Sequence, residues 1–292
     1  MVGTGERGDA EERDGRASVP GEATVPVGNS SPRDPGQLAI DDLMRALSRE
    51  RPRSVVAKLF GVSPIGPENE QRFARALGES AVGEILAQLG TEWSVLHSIS
   101  VGREGARLDH LVVGPAGVFT VTTRCHPGVD VATAGRTVLV GGIKVAHVRD
   151  AEHDLGWAER SLSAALGESL TVTGLLVFVR PVSLAAHSVS KDVHVLPSGE
   201  LLSWITGHAD VFDDSEVQRV VSVAMLPATW GAPAGVELAS DAAQLKSLVR
   251  QMERSRAIRQ LWVGVAVIVF VVTATAIVTI TIIGVAPGGV AH

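Results

Sequence analysis

From Leu261 to Ala286 the chain reads LWVGVAVIVFVVTATAIVTITIIGVA, without one charged residue. About 20 apolar residues in helical conformation suffice to cross the hydrocarbon core of a bilayer. The run therefore predicts a transmembrane helix over 261–286. Its threonines, at 273, 275, 279 and 281, are compatible with that, because their hydroxyls can bond back to the preceding turn. A buried helix of a soluble core is the competing reading, and the length of the charge-free run argues against it. Lys246, Arg250, Arg254, Arg256 and Arg259 precede the run, and no Lys or Arg follows it. The positive-inside rule then places the long amino-terminal part in the cytoplasm and the short tail, 287–292, outside. A single-pass protein of the cell membrane is expected.

The residues before the span add a second constraint. Within 240–259, Leu245, Leu248, Val249 and Met252 fall at i, i+3, i+4 and i+7, with Ser240 as a candidate cap. An amphipathic basic juxtamembrane helix is predicted, able to pack on the preceding domain, lie at the lipid surface or self-associate. Self-association is therefore expected to involve 240–286. At the other end, 1–36 is rich in Gly, Pro and mixed charge and reads as a disordered tail without the apolar run of a secretory signal. Residues 37–66 carry Leu38, Leu43 and Leu47 near helical spacing and form a helical lead-in, and 229–239 reads as a linker.

Residues 67–228 read as one α/β domain. PENEQRFARALGESAVGEILAQLG opens with proline and closes on Gly90, the asymmetry expected of helix ends, and it places Glu79 on the same face as Val82, Leu86 and Leu89. Three β-rich runs follow, WSVLHSI, RLDHLVV and GVFTVTT, separated by the turn-forming SVGREGA and GPAG. TVLVGGIKVAHV reads as a hairpin across Gly141 and Gly142. A helix over about 150–166, strands at LTVTGLLVFV and DVHVL, and helices near 198–206 and 213–225 complete a mixed central sheet flanked by helices.

Asp109 lies in the second run among apolar residues, where a carboxylate is costly unless something pairs with it. Alternation along the third run puts Thr120, Thr122 and Arg124 on one face and Phe119, Val121 and Thr123 on the other. With Asp109 on the same side, Glu79, Asp109, Thr122 and Arg124 converge. Cys125 is the only cysteine, so there is no intrachain disulfide, and a reducing compartment fits. A zinc site from Cys125, His126, His110 and Asp109 is disfavoured, since adjacent strand residues point to opposite faces. His147 and His153 bracket a helix start at which Asp150 reads as a cap.

These residues resemble the nuclease-related domain (NERD), a branch of the PD-(D/E)XK nuclease fold, and within it an actinobacterial group. The resemblance runs through Gly78-Glu79, VLH at 95–97, DHLVVGPAGVFTV and HPG at 126–128, and on through VHVLPSGELLSWI to about residue 207. It implies a PD-(D/E)XK nuclease-like sheet whose carboxylates hold Mg²⁺ and whose lysine stands beside the attacking water. In the family pattern the third run ends in an acidic residue, any residue, then lysine. Here those positions are Thr122 and Arg124. A threonine hydroxyl is a poor substitute for carboxylate, and an arginine, with a pKa above about 12, cannot act as a base.

A degenerate site is expected, with Arg124 paired to Asp109, Glu79 or both where a metal would sit, and with no cofactor. A membrane-anchored interaction or scaffold module follows. The net charge of −6 discourages a broadly basic nucleic-acid surface without excluding a local one. The alternative is a membrane-tethered nuclease acting on DNA or RNA. It would need Mg²⁺ on Glu79 and Asp109, Lys144 in place of the lost lysine, and a carboxylate from Glu152 or Asp154.

Overall fold

The computed structural model describes residues 33–102, 106–185, 190–231 and 242–284. Residues 1–32 of the expected tail, most of the expected linker, the Ser240 cap and the tail at 287–292 lie outside the described residues. Pro52 divides the lead-in into two helices, α1 (Gln37–Leu47) and α2 (Val55–Leu59), because proline cannot continue a helix and disfavours helical backbone before it. The Ser54 side chain accepts from the Ala57 amide and starts α2. A 3₁₀ turn at Pro67–Asn69 leads into α3 (Glu70–Leu86), which stops short of Gly90.

The strands β1 (Ser94–Val101), β2 (Ala106–Gly114) and β3 (Gly117–Cys125) then form an antiparallel meander. A small second sheet follows with β4 (Val131–Ala134), β5 (Thr137–Val140) and β6 (Ile143–Val145). The β5–β6 hairpin closes at the Val140–Ile143 pair across Gly141 and Gly142, whose φ of 56° and 80° suit the primed turns of two-residue hairpins. After α4 (His147–Leu166) the chain re-enters the first sheet as β7 (Val172–Val179), parallel to β3. Next come β8 (Leu184–Ala185), which joins β4, and β9 (Val193–Pro197), which joins β7. The helices α5 (Leu201–Thr206) and α6 (Asp214–Ala224) complete the domain, the second started by a capping box between Asp213 and Glu216.

The five-stranded sheet runs β1-β2-β3-β7-β9 and the smaller one β6-β5-β4-β8. The fold is thus α/β, with mixed sheets flanked by helices. The short β4 and β8 were not legible as periodic runs. One face of the large sheet, with Leu111, Val118, Leu176 and Phe178, packs against α4 and α6. The other, with Phe119, Val121, Leu175 and Val177, packs against α3 and α5. The period of two along β3 consequently sends Thr122 and Arg124 toward α4, and Thr123 and Cys125 toward α3. Gly78 lets α3 come close: a Cβ there would lie 2.9 Å from Cys125 Cβ and 3.1 Å from Thr123 Cγ2.

A third apolar cluster joins the ends of the chain. Ala39, Ile40 and Leu43 of α1 pack with Ile65, Phe73 and Ala76, and with Leu245 and Leu248 of the last helix, α7 (Ala242–Gly284). Within the described residues, the expected juxtamembrane helix and apolar run are thus one continuous helix, and its amphipathic stripe packs on the domain. The contact continues along that stripe: the Arg53 guanidinium donates to Ser255 Oγ and Gln251 Oε1, each at 3.2 Å, and Trp262 Nε1 donates to the Leu59 carbonyl at 2.9 Å. Among the described residues one helix, Ala243–Thr279, is long and apolar enough to cross a membrane, with a mean hydropathy of 2.7 in a window that the protein leaves entirely uncovered.

Candidate functional site

The strands β2 and β3 part beyond the pair His110–Val121. At the fork, the Asp109 carboxylate takes over the role of the next ladder bond: its Oδ2 accepts from the Thr123 amide at 2.8 Å. Asp109 and Glu79 are both buried. Between them lies Arg75, one turn before Glu79 on α3. Its Nε donates to Glu79 Oε1 at 2.6 Å, and its Nη2 donates to Asp109 Oδ1 at 3.0 Å. The guanidinium fork thus bridges two carboxylates from different elements.

Of the two pairings expected for Arg124, the one with Asp109 forms, at long range. Arg124 Nη1 pairs with Asp109 Oδ2 at 3.9 Å, and no ion pair between Arg124 and Glu79 occurs among the described residues. The reason is the strand alternation: Arg124 leaves β3 toward α4, whereas Glu79 approaches from α3 on the opposite face. Arg124 turns instead to the start of α4, where Nη2 meets Asp150 Oδ2 at 3.3 Å and Nε donates to His147 Nδ1 at 3.2 Å. Asp150 is consequently a partner of Arg124 and not the cap of α4, whose N-cap is Ala146. His147 Nε2 lies 3.0 Å from His126 Nε2, the rings stacked, and burial with Arg124 alongside pushes both imidazoles below their ordinary range, His147 to about 4. Both are neutral at pH 7, so neither imidazole opposes the Arg124 charge.

Thr122 also finds a carboxylate. Its Oγ1 donates to Asp154 Oδ2 at 3.0 Å. Burial, and then the nearby charge of Asp109, push the Asp154 carboxyl up to about 6. Of the two acids named from the sequence, Asp154 stands in the site and Glu152 pairs with Arg136. Lys144 is exposed on β6, the edge strand of the small sheet, and is not among the residues that line the cleft. The cleft has a volume of about 470 Å³ and is walled by Arg75, Arg107 and Arg124 against Asp109, Asp150 and Asp154.

Their surroundings push the two central acids in opposite directions. Burial alone would raise Asp109, but Arg75, Arg124 and the Thr123 amide outweigh it and hold the carboxyl below its usual range. Burial and the Asp109 charge raise Glu79 well above its own. The pair therefore favours a proton on Glu79 and a charge on Asp109, with Arg75 between them and Arg107 and Arg124 close by.

Mg²⁺ requires several oxygen ligands in near-octahedral order. Three of the four oxygens on Glu79 and Asp109 already accept from Arg75 or Thr123, and the fourth, Glu79 Oε2, is buried without a hydrogen-bond partner among the described residues. Among the described residues no three His, Cys, Asp or Glu are grouped to hold a metal. The residues as arranged do not fit the ion. Cys125 and His110 are likewise apart, His110 being engaged at 2.8 Å with His97 inside the sheet, both pushed far down by burial, to about 4 and about 3. Arg75 was the residue that the sequence reading missed. Its signal was its position four residues before Glu79, the spacing of neighbours on one helix face.

Comparison with known proteins agrees with the architecture. Residues 74–179, roughly a third of the chain, match the family model described as the nuclease-related domain, NERD. An uncharacterized protein of Bacillus anthracis is 24% identical over 174 residues, which span 57% of this chain and 82% of the relative. No solved structure matches significantly.

Proposed function

We propose that this chain, which carries a nuclease-related domain over residues 74–179, is a membrane-anchored, non-catalytic interaction module built on a nuclease-like fold. The observation that carries the reading is Arg75, whose two donors take the carboxylate oxygens of Glu79 and Asp109. A resident cation on those oxygens neutralises the charge that would otherwise draw in a metal. The exchange of the family's acid and lysine for Thr122 and Arg124 supports the same conclusion, since neither the extra ligand nor the lysine is present on β3.

α7 supplies the anchor. The basic residues from Lys246 to Arg259, all before the apolar run, support a cytoplasmic domain and an external carboxyl terminus in the cell membrane. Self-association is assigned to the part of α7 beyond Trp262, because the stripe before it is covered by the protein's own α1 and α2. Calorimetric titration of the detergent-solubilised chain with Mn²⁺ and Mg²⁺ tests the proposal. No saturable binding is expected, and tight binding abolished by Asp109→Asn would overturn it.

Asp154 favours a second reading, a membrane-tethered nuclease acting on DNA or RNA. Its carboxylate, 3.0 Å from Thr122, stands where the strand has lost one. Metal-dependent cleavage of single- or double-stranded DNA or RNA by the natural chain, lost in both Asp109→Asn and Asp154→Asn, would establish that reading in place of the first.

A further inference from the structure

We infer that residues 53–62 form a second membrane contact, a short apolar finger that lies in the lipid interface beside the point where α7 enters it. The inference rests on reading α7 as a membrane span. Five large apolar side chains within this stretch face outward: Val55 is 82% exposed, Leu59 58% and Phe60 50%, and Val56 and Val62 are similarly uncovered. The helix α2 within it buries no residue at all. Five such side chains within eight residues form a patch that a soluble surface does not ordinarily carry.

The finger is nevertheless held firmly. Gly61, at φ 69°, lies so close to α7 that a Cβ would be 2.4 Å from the Ser255 carbonyl and 2.7 Å from the Arg259 amide. Arg53 ties its base to Ser255 and Gln251. At its tip the Leu59 carbonyl accepts from Trp262, and the Phe60 and Trp262 rings lie 5.1 Å apart between centroids. These contacts fix depth. Trp262 is the second residue of the charge-free run, and tryptophan at the end of a span sits at the level of the headgroups.

Leu59 and Phe60 are therefore at the level of the interface, and Val55 and Val56 extend the same patch. Lys58 of the finger, with Arg256 and Arg259 of α7, adds the positive charge that anionic headgroups attract. The occupant is the bilayer surface, because the patch is continuous with the candidate span. A protein partner would have to approach along the same lipid boundary.

Cys125, the one native cysteine, is buried, so single introduced thiols can be read in the full chain on a Cys125→Ala background. The variants Val56→Cys and Leu59→Cys would be labelled with an environment-sensitive fluorophore. Val269→Cys serves as the span control and Ser222→Cys as the solvent control. Each is reconstituted into vesicles of phosphatidylcholine and phosphatidylglycerol, with or without a lipid-borne quencher. The labels at 56 and 59 are expected to lose at least about half as much emission to the lipid quencher as the label at 269, and to be shielded from aqueous iodide. Quenching at 269, with 56 and 59 open to iodide, would overturn the finger and leave the anchor standing. Absence of lipid quenching at 269 would overturn the anchor, and the finger with it.

Discussion

Replacing Arg75 by methionine tests the organisation of the site most directly. The substitution keeps an unbranched apolar stem and removes two donors from two buried carboxylates, at 2.6 and 3.0 Å. Breaking a buried ion pair from one side costs about 3–5 kcal/mol. Two features of the structure reduce that figure. The Arg75 side chain is 39% exposed, so water screens part of its field, and Glu79 already tends to hold a proton. A loss of about 2 kcal/mol at pH 7 is expected.

The sign with pH follows from the same charges. Without the guanidinium both carboxyls titrate higher in the folded state. A raised carboxyl costs nothing below its unfolded pKa and progressively more as pH climbs through the interval up to its folded one. The deficit of Arg75→Met relative to the natural chain should therefore be smallest near pH 4 and grow toward pH 8. Urea unfolding in detergent, followed by tryptophan fluorescence at several pH values, measures it. A variant within about 0.5 kcal/mol of the natural chain at pH 7, with no trend in pH, would refute the reasoning.

Other outcomes follow from neighbouring geometry. Restoring the family pattern with Thr122→Glu and Arg124→Lys should not by itself create a Mn²⁺ site, whereas adding Arg75→Met should; calorimetry distinguishes the two chains. Asp154→Asn removes a carboxyl raised to about 6, so the part of stability that falls as pH rises from about 4 to 6 should vanish, a flattening of about 3 kcal/mol in pH-dependent unfolding. Gly78→Val would drive a side chain into Cys125 and Thr123 and should cost about 2 kcal/mol, or prevent folding, as read by thermal unfolding.

The architecture was legible where a single element declares itself. The charge-free run, the hairpin glycines and the alternation on β3 each report local geometry, and the placement of Thr122 and Arg124 on the face opposite Thr123 follows from period two alone. What was not legible depends on which face of the sheet each helix covers. Glu79 could be aimed at Asp109 from sequence, but Arg124 could be judged a partner of Glu79 only by ignoring that α3 and α4 lie on opposite sides. Arg75 stood at the right spacing throughout, yet the same spacing describes countless solvated helix pairs. Asp154 was named beside Glu152 because the register of α4 against β3 is set by Val148, Ala151 and Leu155 packing into a core that only the assembled sheet creates.

α7 runs without interruption from Leu248, seated in the domain, to the charge-free residues that begin at Leu261. Thirteen residues of helix rise about 20 Å, and residues 53–62 brace them as far as Trp262, so with the run in a bilayer the domain is held at a fixed height. It has no slack with which to lean away from the lipid. Encounters with the cleft would then take place in a thin layer along the membrane, where a partner that is itself lipid-bound arrives by lateral diffusion and a free one must first descend to that height.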